Sequence, residues 1–292
     1  MSLEALQRKI KTTDELREIV STMKTLSSAS ILQYEQANIS LRSYRRNLRD
    51  AFHALIRQKD LPPISKPRGA EKHLQIVIGS DNGMVGKFNR EIFQAVHKDL
   101  KKQNLMIKET LFITVGKRMT MLANQQKLTL SAQYAVANSV KAVSILAESL
   151  ILELDKLIAA QKITHVDIWF HKRSKGSSVK VEKRQIIPFD DATLRQLQNK
   201  PWETNNLPML PQNTQRLFSS LIRESLIMSL SGAINYSLAA EHFTRMTNMQ
   251  NAEKNIDENL AELNQEYQQQ RQEQITDELI DIISGAEAMK KK

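Results

Sequence analysis

Apolar and small residues recur at alternating steps of four and three through the last quarter of the chain. From about 213 to 289 they read Phe218, Ile222, Ser225, Ser229, Gly232, Tyr236, Ala239, Phe243 and Met246. The stripe resumes as Ile256, Leu260, Leu263 and Tyr267, and again as Ile275, Leu279, Ile282 and Ala286. This is the seam of a coiled coil. No proline interrupts the stretch and its only glycines are Gly232 and Gly285. It is therefore predicted as one helix on the order of 110 Å long, at about 1.5 Å per residue. A seam this narrow requires a partner helix.

The opposite end of the chain supplies one. Residues 2–59 contain neither glycine nor proline, and their stripe runs Leu16, Ile19, Met23, Leu26, Ser30, Tyr34, Ala37, Leu41, Tyr44, Leu48, Ala51 and Leu55. The extra step of four from Ser30 to Tyr34 reads as a stutter that relaxes the supercoil. Helices from opposite chain ends pair antiparallel if the intervening segment sits at one end. That segment opens with a proline-rich run at 61–69 and then changes grammar. Strands are predicted at 73–79, 110–115, 165–171 and 178–188, and helices at 89–102 and 139–161. The last two strands form a hairpin through Lys175 and Gly176, and a proline-bearing linker at 199–212 leads into the final helix. The expected fold class is α/β: a long antiparallel coiled coil of N- and C-terminal helices plus a small Rossmann-like α/β domain, its sheet parallel at first. The expected boundaries are 1–60 for the first helix, 70–200 for the α/β foot and 210–289 for the last helix.

Charge and composition narrow the partners. The chain has no cysteine, which excludes a disulfide framework, a cysteine zinc site and thiol redox control. The first twenty residues lack an apolar core and carry acids early, so no secretory signal is expected. No run of about eighteen apolar residues is apparent, so no membrane span is expected either. The formal net charge is +10, unevenly spread. Arg8, Lys9, Lys11, Arg42, Arg45, Arg46 and Arg49 make the first helix basic, whereas Glu253, Asp257, Glu258, Glu262 and Glu266 make the last one acidic. Each run alone is the solvated face of a helix. Opposite signs at the two ends suit two helices lying against each other. The aromatics Trp169, Phe170 and Trp202 are not interleaved with basic residues as single-strand binders require, so no nucleic-acid partner is expected.

Candidate chemistry is sparse. The turn Gly79-Ser80-Asp81-Asn82-Gly83-Met84-Val85-Gly86-Lys87-Phe88-Asn89 sits where a phosphate loop would. A Walker A loop needs a glycine where Asp81 stands and a Ser or Thr where Phe88 stands, and no G-x-G-x-x-G replaces it. A tight strand-to-helix turn, with Asp81, Gly83 and Gly86 as its marked residues, is the better reading. The six histidines show no metal-ligand spacing. Asp190 and Asp191 fit helix capping from Ala192 onward, and no nucleophile elbow is present. No catalytic, cofactor or metal site is expected.

The residues then reach a known pattern. Leu238-Ala239-Ala240-Glu241-His242-Phe243-Thr244-Arg245-Met246 followed by Met249 is similar to the A-S-E-H-x-x-R-M-x-x-M signature of F-type ATP synthase γ subunits. The run from Arg271-Gln272 through Ile275-Thr276 and Glu278 to Gly285-Ala286 is similar to that family's R-Q-x-x-I-T-x-E ending. Arg8-Lys9-Ile10, Ile19 and Met23 match its opening element, and the turn at 80–89 resembles S-D-R-G-L-C-G-x-x-N. The resemblance runs the length of the chain.

It implies a rotor shaft: a central stalk that couples ion flow through a membrane c-ring to ATP synthesis or hydrolysis at a head of α and β subunits. The implied partners are those α and β subunits, the ε subunit and the c-ring. The implied place is peripheral to the inner membrane, on its cytoplasmic side. The shaft is then non-catalytic by itself and binds no cofactor. The resemblance places Met23 and Lys24 beside the β lever loops, and Arg271, Gln272 and Thr276 in contact with the head. Met23 fits a seam residue equally well, and Arg271 fits a surface pair with Glu266 or Glu278. The family's basic stretch after the Met element is here 27–33, its loop arginine is Asn82, and Glu253-Lys254 replaces its Thr-x. These departures imply a divergent bacterial branch, an alternative or second F-type ATPase. The reading from a different class is a non-rotary coiled-coil scaffold or adaptor.

Overall fold

The computed structural model describes residues 2–58, 72–174, 178–188, 196–197, 199, 201–202, 206 and 208–290, with the side chains of 285–290 excepted. The run at 61–69, the turn at Lys175 and Gly176, the pair Asp190 and Asp191, and the Ala286 side chain lie outside the described residues. The chain divides into two compact units, Met1–Ser28 with Arg245–Lys292, and Ala29–Thr244. Two helices contribute to both: α1 (Leu3–Gln58) and α5 (Thr214–Lys290). Helix α1 starts where Ser2 Oγ accepts the amide of Ala5, and α5 where Asn213 Oδ1 accepts that of Arg216, each satisfying an orphan donor of a first turn.

Between them the unit Ala29–Thr244 carries β1 (His73–Ile78), α2 (Phe88–Lys102), β2 (Leu111–Val115), α3 (Lys117–Gln125), β3 (Thr129–Tyr134), α4 (Val140–Gln161), β4 (His165–Arg173) and β5 (Val179–Ile187). The strands lie in the order β3-β2-β1-β4-β5. The first four are parallel and β5 runs antiparallel to β4, as the strand pattern predicts. Helix α3 and strand β3 are additions. Both are short, and β3 alternates polar Thr129, Ser131 and Gln133 with only partly buried neighbours, so no apolar run announces it.

One face of the sheet presents Leu74, Ile76, Ile78, Ile113, Val166, Ile168 and Phe170 to Val143, Leu150 and Leu154 of α4 and to Leu230, Ile234 and Leu238 of α5. The other packs Val77, Phe112 and Trp169 against Ile92 and Val96 of α2 and Met119 of α3. Each such fully buried side chain contributes roughly 1.5–3 kcal/mol. Around Leu230–Ala240, α5 is therefore buried on almost every side, with only Tyr236 partly exposed. A helix apolar all round is a core helix. One window of α5 does reach the hydropathy of a membrane span by length and composition, contrary to the expectation that none does.

The pairing of α1 with α5 is antiparallel within each unit. Phe52 meets Phe218, Arg45 meets Met228 and Tyr34 stacks on His242 in one; Lys24 meets Glu253 and Arg17 meets Asp257 in the other. The seam of α1 differs from the predicted one. Its buried and half-buried positions run Val20, Lys24, Ser27, Ile31, Tyr34, Asn38, Leu41, Arg45, Leu48, Phe52 and Leu55, alternating four and three with no stutter. Leu16, Ile19 and Leu26 are instead 50%, 56% and 63% exposed. The seam takes in polar Lys24, Ser27, Asn38 and Arg45, which apolar counting passes over.

Candidate functional site

The turn after β1 is built to be rigid. Asp81 accepts the Lys117 amide on one carboxylate oxygen at 2.7 Å and the Val136 amide on the other at 3.1 Å. The loop is thereby tied to the start of α3 and to the chain beyond β3. Asn89 accepts the Ser80 amide and donates to Ser80 Oγ. Gly116 crosses this loop with φ of 111°, and a Cβ there would sit 2.8 Å from the Ser80 backbone. Gly86 supplies positive φ at 56°, whereas a Cβ on Gly83 would meet nothing closer than Arg118 Nη2 at 3.7 Å. The carboxylate is thus spent on backbone amides.

The strand order reverses between β1 and β4, so the crevice beyond their carboxyl ends is where an open α/β sheet binds a ligand. Here the chain fills it. Val85 and Phe88 pack against Ala240 of α5, and the Phe88 ring stacks on His171 with centroids 3.7 Å apart. His171 is fully buried, neither ring nitrogen has a hydrogen-bond partner, and burial holds its pKa down to about 3. An uncharged imidazole serves here as an aromatic plate. Among the described residues no group of three or more His, Asp or Glu is placed to hold a metal ion.

The helix-pair residues marked in the sequence fall into two sets. Met23 is half-buried on α1, and its neighbour Lys24 is ion-paired to Glu253, whose carboxyl is held below the usual range chiefly by that lysine. Arg271, Gln272 and Thr276 are exposed on α5, with the Thr276 hydroxyl donating only to the Gln272 carbonyl. No ion pair joins Arg271 to Glu266 or Glu278 among the described residues, and Glu278 accepts from Gln274 instead. Since Lys24 lies level with Glu253, Arg271 is about 27 Å farther along the helix, and the two sets do not meet. Beside the second set Ile275, Leu279, Ile280, Ile282 and Ile283 are all exposed. Residues 275, 279 and 282 form part of the predicted seam, and no helix covers them among the described residues.

Small residues of the α5 seam receive arginine side chains. The Arg45 guanidinium occupies the notch at Gly232 and donates to the Met228 carbonyl at 2.9 Å. Arg184 donates to the Ser229 carbonyl and hydroxyl. Both guanidiniums have pKa values lowered first by burial.

The model of the ATP synthase family matches residues 2–289. This chain belongs to that family. Among its relatives the ATP synthase gamma chain of Geobacter metallireducens is 26% identical over 298 residues, covering 99% of both chains. That of Anaeromyxobacter sp. (strain K) is 27% identical over 300 residues with the same coverage. Solved structures share the fold. The rotor of the Euglena gracilis mitochondrial ATP synthase aligns with TM-score 0.61 at 16% identity, over 94% of this chain and 98% of that one. A chain of the OSCP/F1/c-ring assembly from the same organism aligns with TM-score 0.62 at 17% identity, over 98% and 94%. As a member of the ATP synthase family, the chain is a component of a membrane-associated complex.

Proposed function

We propose that this chain is the central-stalk shaft of an F-type ATP synthase, coupling ion flow through a c-ring to ATP synthesis or hydrolysis in a head of α and β subunits. The observation that carries this is the family match along residues 2–289, on a fold whose terminal helices pair antiparallel. The work is a population shift in the partner: each angle of the shaft favours one β conformation. The exposed apolar residues Leu16, Ile19 and Leu26 on α1 and Ile275, Leu279 and Ile282 on α5 suit contact with such a head. Met23 and Lys24 then lie beside the β lever loops, and Arg271, Gln272 and Thr276 meet the head near the helix end. The α/β segment at 70–200 is the foot, with its turn at Asp81, Gly83 and Gly86, facing the ε subunit and the c-ring. The complex sits on the cytoplasmic side of the inner membrane. The shaft is non-catalytic, which the filling of the strand crevice by Val85, Phe88 and Ala240 supports.

Reconstituting α and β subunits with and without this chain tests the reading. ATP hydrolysis should rise on addition of the chain and fall again with Arg271→Ala, while the variant's melting temperature stays put. Stoichiometric binding without any change in turnover would instead identify a scaffold.

A further inference from the structure

Within the unit Ala29–Thr244 a cleft of about 570 Å³ opens between the β4–β5 hairpin, α1 and α5. The shaft reading makes no use of it. Its walls are cationic on both sides: Arg42 stands on α1, and Lys172 and Lys180 stand on the hairpin, around the Tyr236 ring of α5. Two carboxylates also line it, and both are engaged. Glu35 accepts from Arg173 at 2.9 Å and Glu182 from Lys172 at 3.0 Å. Arg42 and Lys180 have no carboxylate partner among the described residues.

Two further observations point the same way. Asn38 lines the cleft, is only 5% exposed, and its Nδ2 has no acceptor. A donor shut away from water is satisfied in most structures, and this one finds no acceptor among the described residues. Close by, Arg45 and Arg184 rest on backbone carbonyls. Burial lowers both pKa values, and for Arg184 the neighbouring Arg45 lowers it further. Glu182 acts on Arg184 in the opposite sense, but it is already paired with Lys172 and Glu35 with Arg173, which leaves Arg42 and Lys180 unmatched among the described residues.

We propose that this cleft binds a small anion carrying two or more linked phosphate groups, of the pyrophosphate or nucleotide-polyphosphate class. Its volume lies in the range of small-molecule sites. Cations on opposing walls call for negative charge spread over several ångströms, which one carboxylate or one phosphate does not supply. The concavity admits a compact ligand and keeps out a flat membrane surface. Arg42 and Lys180 supply the unpaired charge, and Asn38 Nδ2 donates from the inside.

The full chain, titrated calorimetrically with pyrophosphate at constant ionic strength, provides the test. One saturable site is expected. The double variant Arg42→Ala/Lys180→Ala should weaken it at least tenfold, Asn38→Leu should weaken it severalfold, and ATP should compete. Arg42 and Lys180 are exposed, so their removal leaves the fold intact, which a thermal melt checks. Arg46→Ala, on the exposed surface of the same helix, should change nothing. The proposal is overturned by absence of saturation, by unchanged affinity in the double variant, by an equal loss in Arg46→Ala, or by inorganic phosphate binding as tightly as pyrophosphate.

Discussion

The same two helices are used in opposite ways in the two units. In Ala29–Thr244, α5 is enclosed by apolar partners and α1 adds Tyr34, Phe52 and Leu55 to them. In the unit of Met1–Ser28 with Arg245–Lys292, few side chains are buried: Leu6, Ser27, Arg245, Met249 and Leu263. Charge pairs such as Lys24–Glu253 and Arg17–Asp257 link its helices, and Leu16, Ile19, Leu26, Ile275 and Leu279 among its apolar residues are exposed. Stability is concentrated in the first unit, and free surface in the second. A chain that must hold a shape while presenting a face to partners benefits from that division, because surface committed to its own core is lost to an interface.

Acid offers the sharpest way to break the comparison. His171 is held neutral with a pKa near 3, against 6.5 in an unfolded chain. A depressed pKa means that the unfolded state takes up the proton first. The contribution of His171 is complete above pH 6.5 and is lost as pH falls towards 3, by roughly 5 kcal/mol at most. Urea unfolding followed from pH 7 to pH 3 should show this loss, and His171→Phe should flatten it. Next in size, Ile234→Ala removes a fully buried side chain and should cost about 2–5 kcal/mol, whereas Leu279→Ala, exposed in the other unit, should stay within about 0.5 kcal/mol. Equal costs at these two positions would erase the distinction. Gly116→Ala forces a β-carbon against the Ser80 backbone at positive φ and should cost at least about 1–3 kcal/mol, read as a lower denaturation midpoint. The smallest effect belongs to Lys24→Ala. Because Glu253 is held below its ordinary pKa by Lys24, the pair contributes above the unfolded carboxyl pKa and its contribution disappears as pH falls through the folded one. The variant should lose a little stability at neutral pH, none in strong acid, and show the same loss when salt is added to the parent.

Much of this was legible from residue order. The long helices follow from the absence of proline and the four-three spacing, the parallel strands from apolar runs between helical stretches, and the attraction between chain ends from their opposite charges. What escaped had physical reasons. The α1 face over Leu16–Ser30 was misassigned because seam positions filled by Lys24 and Ser27 carry no apolar signal, while Leu16, Ile19 and Leu26 carry it on the outward side. Strand β3 was missed because an edge strand buries little. Asp81 was marked for its motif, but its two amide partners at Lys117 and Val136 are distant in sequence and only folding brings them together. The basic cleft has no signature in residue order, because Arg42 on α1 and Lys172 and Lys180 on the hairpin come together only on folding.

One detail of α5 bears on how two helices fail under load. A pair joined by a greasy stripe can slip lengthwise by one turn, about 5.4 Å, and find nearly equivalent contacts. At Gly232 that escape is closed. A slip of one turn either way would bring Met228 or Tyr236 under the Arg45 guanidinium, where a side chain already fills the space that glycine leaves open. The arginine works as a shear pin, and the gap it fits exists at one register only.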